Sequence, residues 1–210
     1  MTIDLIDLSS DNGAIDFTQM AAANVQHIAH RLTLGVGTID KAVNTNAANA
    51  AAAGIGVSYY HLAYPSALHT LDNSITGNAT LQANGFVAAM KGLPAPELLA
   101  IDLENVNIPD ISQADYLSWL TTWLTTVKQL TNLTPVIYGP VYWLDGHLPA
   151  GHGLWNTYQY WCPNYNNVAT PPLPQGCAAY YLWQYTSSGS IAGTTNHVDC
   201  SCLGNGCTLS

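Results

Sequence analysis

Short apolar runs alternate with longer helical stretches through the first two thirds of this 210-residue chain, and that alternation limits the fold more than any other feature. Residues 3–8, 25–31, 55–62, 98–104 and 135–138 read as strands. Residues 16–23, the Ala-rich 39–53, 73–90 and 112–130 read as the helices between them. Alanine's helix propensity accounts for the second of these, and Gly54 stands where a helix C-terminus needs a left-handed residue. Ser112 and Asp115 have the spacing of a capping box with Asp in place of Glu. Strands joined by helices lie parallel through right-handed crossovers. Beyond Gly139 the helical signal fades. Residues 154–160 and 179–185 read as strands around the Pro-rich loop 171–174, with a last short strand at 198–200. Five such units followed by three strands predict an α/β fold, a single incomplete TIM-like (β/α)5(β)3 barrel over residues 1–210, with no linker and no internal repeat.

The fourth strand carries an acid pair. In Ala100-Ile101-Asp102-Leu103-Glu104-Asn105, the two carboxylates are two residues apart, so in a strand they project to one side while Ile101 and Leu103 pack on the other. Two acids held together can take different pKa values and divide acid and base work, as in glycoside hydrolysis. The bland alternative is a strand end carrying solvated or capping acids. Chemistry in such barrels collects at the C-terminal ends of the strands. There the chain places Asp7, Arg31, Tyr60, His61, Asp102, Glu104, Tyr138, Gln184 and Tyr185, an acid-rich ring with aromatic walls. His61 reads as a buried, hydrogen-bonded strand residue rather than a catalyst.

Composition narrows the partners. Net charge is −9, and the basic residues are only Arg31, Lys41, Lys91 and Lys128. That leaves no footprint for nucleic acid and none for anionic membranes. Six Trp and twelve Tyr against two Phe favour flat faces with polar edges, which suit sugar rings as well as a core. Residues 1–7 lack a basic n-region and a long apolar h-region, so no signal peptide is expected, and no apolar run approaches the roughly 20 residues of a membrane span.

All five cysteines, Cys162, Cys177, Cys200, Cys202 and Cys207, fall in the last quarter. With His197 they invite a zinc reading, but no paired C-x-x-C framework is present. One or two disulfides stapling the C-terminal loops are expected instead. Pairing is not readable from sequence, and Cys162 with Cys177 and Cys202 with Cys207 are a working assignment.

Several segments, in order, resemble the glycoside hydrolase family 25 lysozymes, the Chalaropsis-type 1,4-β-N-acetylmuramidases. Residues 6–13 followed by Ile15-Asp16-Phe17 resemble that family's opening G-x-D-V-S-x-x-[QN]-G…I-D-W. Arg31-Leu32-Thr33-Leu34-Gly35 stands where the family has K-A-T-x-G, with Asp40 and Asn46 following at familiar spacings. Residues 53–61 resemble A-G-x-x-x-G-x-Y-H, Asp102-Leu103-Glu104 matches D-x-E, and Pro135–Tyr138 matches P-[VIL]-I-Y. Leu182-Trp183-Gln184-Tyr185 and Val198-Asp199 match L-W-Q-Y…V-D. The departures are Arg31 in place of lysine and the cysteines that replace the V-D-x-N ending.

The resemblance implies a flattened barrel with an acidic groove at one end, catalytic residues Glu104, Asp102, Asp7 and Asp199, and no metal or organic cofactor. Glu104 would be the general acid. Asp102 would orient the substrate's 2-acetamido group or stabilise the positive transition state. Tyr60, Tyr138, Gln184 and Trp183 would contact sugar, and Arg31 would pair with an acid in the groove. The implied activity is hydrolysis of the β-1,4 bond between MurNAc and GlcNAc in peptidoglycan, with retention through acetamido assistance. The implied protein is a monomer that acts on glycan strands of the cell wall. It would be either a phage endolysin made in the host cytoplasm and released by a separate pore, or a secreted lysozyme. The catalytic domain uses up the chain, so no separate wall-binding module is expected, and residues 199–210 read as a cysteine-containing tail. The alternatives are a catalytically inactive glycan-binding protein on the same barrel, and a zinc hydrolase centred on His197.

Overall fold

A computed structural model describes residues 3–66, 73–104 and 110–209; Met1 and Thr2 of the leader argument, and Asn105 beside the acid pair, lie outside them. The strands are β1 (Leu5–Leu8), β2 (His27–Leu34), β3 (Thr38–Ile39), β4 (Gly56–Leu62), β5 (Leu99–Asp102), β6 (Val136–Tyr138), β7 (Tyr160–Pro163), β8 (Leu182–Gly189) and β9 (Val198–Leu203). The helices are α1 (Phe17–Ala22), α2 (Val43–Ala52), α3 (Ile75–Ala89), α4 (Gln113–Thr131) and α5 (Val141–His147). The sheet runs β1-β9-β8-β7-β6-β5-β4-β2-β3, and β1 also pairs with β2. Eight strands therefore close into a barrel, while β3 hangs from β2 as an antiparallel hairpin. Neighbours are parallel from β1 round to β8, and β9 enters antiparallel to both β8 and β1. This is the expected (β/α)5(β)3 order.

Side-chain alternation sorts the residues into two layers. Leu5, Ala29, Ala100, Val136, Tyr138, Trp161 and Leu182 form one buried cluster inside the ring. Small Ala beside large Trp and Tyr lets a narrow barrel fill without voids. Their neighbours Ile6, Leu8, Ile28, Leu99, Ile101 and Ile137 face the helices and meet Trp119, Leu120 and Trp123 of α4. Each such fully buried aliphatic side chain contributes about 1.5–3 kcal/mol. Ser112 caps α4, its hydroxyl accepting from the Asp115 amide at 3.1 Å, and left-handed Asn132 (φ 61°) ends it.

Several boundaries differ from the sequence reading. Helix α5 follows β6 where no helical signal was legible, because seven residues are too few to show a periodic stripe. Residues 154–160 are not a strand: Leu154–Asn156 make a 3-10 turn, and β7 begins at Tyr160. The apolar residues there are buried, and burial alone does not separate a strand from a turn. Ile39 belongs to β3, not to α2. Residues expected as a tail after Asp199 continue β9 as barrel wall to Leu203.

The cysteine expectation is corrected. All five are free thiols, and neither Cys162–Cys177 nor Cys202–Cys207 is bridged. The Cys162 thiol points to the Pro172 carbonyl (3.5 Å) and that of Cys177 to the Ala179 carbonyl (3.2 Å), directions set by β7 and its following loop. A disulfide needs two Cβ vectors facing each other. Among the described residues, no three His, Cys, Asp or Glu side chains converge as metal ligands, and no helix is long and apolar enough to cross a membrane.

A bulge in β2 decides what happens around His61. The register with β4 slips between Arg31 and Thr33, so Arg31 opposes Tyr60 and Thr33 opposes His61. The extra residue reverses the phase and turns Thr33 to the helix side. There its hydroxyl lies 2.7 Å from His61 Nδ1, while Nε2 bonds Gln82 Oε1 at 2.8 Å and the ring stacks on Trp123. Because the Gln82 oxygen only accepts, Nε2 carries the proton and Nδ1 accepts from Thr33. Burial pulls the His61 pKa down to about 4. A depressed histidine contributes stability that is complete above its unfolded pKa near 6.5 and is lost as pH falls through the folded value. The contribution is on the order of 3 kcal/mol. The stability advantage of wild type over His61→Gln, measured by urea unfolding, is therefore expected to shrink steadily from pH 6.5 to pH 4.

Candidate active site

Parity along the strands points the acids inward. Asp7 follows Leu5 by two residues on β1, and Asp102 follows Ala100 by two on β5, so both carboxylates share the face of the inner cluster. Glu104 continues the same phase just past the end of β5. Asp199 lies directly opposite Asp7 across the antiparallel β1–β9 pair. The four carboxylates and the side chains of Tyr60, Tyr138 and Trp161 line one pocket with about 350 Å³ of empty volume. The closure of the barrel brings residues 7 and 199 side by side.

Crowding like charges in a desolvated pocket shifts their protons. Burial, then the Asp199 charge, raises Asp7 well above the usual carboxylate range, even though Gln184 donates to it. Asp199 is raised by burial, and the bond it shares with Asp7 opposes that rise. Asp7 is thus the member that keeps its proton and donates it to Asp199. Asp102 is raised well above its ordinary value by burial and by the Glu104 charge. Its Oδ1 is buried and has no hydrogen-bond partner among the described residues. Glu104 is exposed at the pocket mouth as a residue. Its carboxyl end is nevertheless desolvated against the wall, and this, with the Asp199 charge, raises its pKa against the lowering effect of Tyr138.

A hydrogen-bond chain ties the two acid pairs together. Gln184 Nε2 donates to Asp7 Oδ2 at 2.9 Å. Gln184 Oε1 accepts from Tyr138 at 2.9 Å and from the Tyr165 hydroxyl. The Tyr138 hydroxyl also lies 3.4 Å from Glu104 Oε2. Trp161 meets Tyr138 edge-on at 5.2 Å and is anchored by a 2.9 Å bond from Nε1 to Ser201 Oγ.

Of the residues singled out in the sequence, Asp7, Asp102, Glu104, Asp199, Tyr60 and Tyr138 line the pocket. Gln184 sits behind the wall, wholly buried, as the link between acids. Trp183 is not brought there. It alternates with inward Leu182 and Gln184, lies on the outer face of β8, and donates to the Asn164 carbonyl at 2.8 Å. Arg31 is held by Asp40 (2.8 Å) and Asp11 (3.0 Å) rather than by a pocket acid. Its charge still lowers Asp102 and Tyr60 against the larger effect of burial. Trp161 and Tyr165 were not foreseen. The strand-end rule finds both once β7 is placed at Tyr160–Pro163 instead of ending at residue 160.

The model of the family described as Glycosyl hydrolases family 25 matches residues 6–194. Lysozyme M1 of Streptomyces globisporus is 24% identical over 201 residues, covering 92% of this chain and 65% of that protein, so the chain spans about two thirds of its relative's length. Among solved structures, the bacterial lysozyme from Streptomyces coelicolor superposes with a TM-score of 0.83 at 23% identity, over 99% of this chain and 94% of that one. The muramidase from Acremonium alcalophilum gives a TM-score of 0.79, also at 23% identity, over 97% and 94% of the two chains. At these identities the structural matches establish the shared barrel.

Proposed function

The chain belongs to glycosyl hydrolases family 25, and from that membership we infer that it is a lysozyme hydrolysing the β-1,4 bond between MurNAc and GlcNAc in peptidoglycan. The observation that carries the reading is the state of the acid pair on β5. Asp102 holds a buried oxygen in the pocket that has no partner among the described residues, and Glu104 sits at the mouth with a raised pKa. An acid whose pKa is raised keeps its proton to higher pH and can give it to a leaving oxygen, and a buried acceptor without a partner among the described residues calls for a donor from the substrate.

Glu104 gives its proton to the glycosidic oxygen as the C1–O bond breaks and that oxygen keeps the bonding electrons. The carbonyl oxygen of the neighbouring 2-acetamido group closes on C1, while Asp102 Oδ1 accepts the acetamido N–H and steadies the positive charge that develops. Water then opens the ring with Glu104 as base, retaining configuration. Asp7 and Asp199, sharing one proton, hold the opposite wall without adding two full negative charges. Tyr60, Tyr138 and Trp161 present aromatic surface to the sugar rings. The protein is read as acting as a monomer. The site of action is the bacterial cell wall, reached either as a phage endolysin or as a secreted lysozyme.

Digestion of purified peptidoglycan, with new reducing ends identified by mass spectrometry, tests this reading. Reducing-end MurNAc is expected. Reducing-end GlcNAc would reassign the bond, and no release by folded protein would leave a glycan-binding role on the same barrel.

A further inference from the structure

Tyr165 lies outside the pocket lining, on the loop after β7, and is 47% exposed. Its hydroxyl nevertheless reaches the buried centre of the network, where it donates to Gln184 Oε1 beside the Tyr138 hydroxyl. Tyr138 has a single O–H proton and several acceptors beside it: Gln184 Oε1 at 2.9 Å, Glu104 Oε2 at 3.4 Å and the Tyr165 hydroxyl. It cannot serve them all at once. A second donor on the Gln184 oxygen draws down that oxygen's electron density and weakens its hold on the Tyr138 proton.

We propose that Tyr165 is a positioning residue: by donating to Gln184 Oε1 it leaves the Tyr138 proton for Glu104, and so tunes the acid through Tyr138. The inference rests on the reading of Glu104 as general acid and adds a residue to it. Burial raises the pKa of both tyrosines, which keeps both hydroxyls protonated as donors. The groups that face Glu104 are Asp102 on the same strand, Tyr138 on β6, Tyr165, and Asp199 on β9 with Asp7 behind it on β1. Of the acids, Asp199 raises its pKa, after burial. Tyr138 supplies the hydrogen bond that lowers it.

Tyr165→Phe removes only the hydroxyl. Gln184 then holds the Tyr138 proton, Glu104 loses its donor, and its pKa rises. The alkaline limb of kcat/KM on soluble peptidoglycan fragments is expected to move up by roughly half to one pH unit. kcat is expected to fall roughly three- to ten-fold while KM holds. In a Tyr138→Phe background the same change moves the limb no further, because Tyr165 acts through Tyr138. An unmoved limb, or a rise in KM with kcat intact, would overturn the proposal and make Tyr165 a structural residue or a sugar contact. The carboxyl titration of Glu104, followed by carbon NMR in wild type and Tyr165→Phe, reads the same shift without turnover. The proposal is thus tested even if the wild type hydrolyses nothing, an outcome that would fault the lysozyme reading alone.

Discussion

Glu104→Gln is expected to lower turnover of peptidoglycan by at least about a hundred-fold, the usual loss on removing a general acid. Glutamine keeps the size and the acceptor for Tyr138 but has no proton to give at the moment the glycosidic bond breaks. Glu104 is exposed at the pocket mouth and its carboxylate is not part of the core. The unfolding midpoint should therefore stay close to that of wild type, with a change within about 0.5 kcal/mol. The pH profile separates this loss from a folding defect. A general acid works only while protonated, so wild-type activity persists below the Glu104 pKa and falls as pH rises through it. Because burial and Asp199 raise that pKa, the alkaline limb should lie above the usual carboxylate range, and residual activity in Glu104→Gln should lack that limb. Release of reducing ends across pH 4 to 9 by both proteins is the measurement. A variant with near wild-type turnover would mean that another of the four acids protonates the leaving group.

Asp102→Asn should trade activity for stability. With the carboxylate replaced by an amide, the acetamido N–H loses its charged acceptor and the developing positive charge loses its counter-charge. The expected fall in kcat is about 10²- to 10³-fold, the range for removing one transition-state electrostatic contact. Stability moves the other way. The folded pKa of Asp102 is raised above its unfolded value, chiefly by burial and then by Glu104. A raised group contributes stability fully below its unfolded pKa and loses it as pH rises through the folded value. As pH rises above the unfolded value, wild type therefore loses stability that Asn keeps, and the variant should melt higher at pH 8. Below about pH 4, where wild type is protonated as well, the two should converge. Thermal melts at pH 4 and pH 8, set beside kcat, test both halves. A variant less stable at pH 8 would show that Asp102 is a structural anchor rather than a strained functional acid.

Much of this was legible in the chain because it depends on local rules. Strand period placed Asp102 and Glu104 on one side and Ile101 and Leu103 on the other, and the structure keeps that division. Alternation of strand and helix predicts parallel pairing, and pairing orders strand ends into a ring. Asp7, Tyr60, Asp102, Glu104 and Tyr138 could thus be named together from residues up to 131 positions apart. What the chain by itself did not decide is what depends on closure. The antiparallel entry of β9 between β8 and β1 sets Asp199 opposite Asp7, and only that contact makes them share a proton. The bulge at Leu32 turns Thr33 toward His61, and the placement of β7 at Tyr160–Pro163 rather than 154–160 brings Trp161 and Tyr165 to the site while parity sends Trp183 outward. Cys162 and Cys177, which sequence proximity would have paired, stay free, their thiols directed at the Pro172 and Ala179 carbonyls. Side-chain direction along a strand repeats every two residues and can be read locally; which strand lies next to which, and in what register, is settled by burying both faces of the sheet at once.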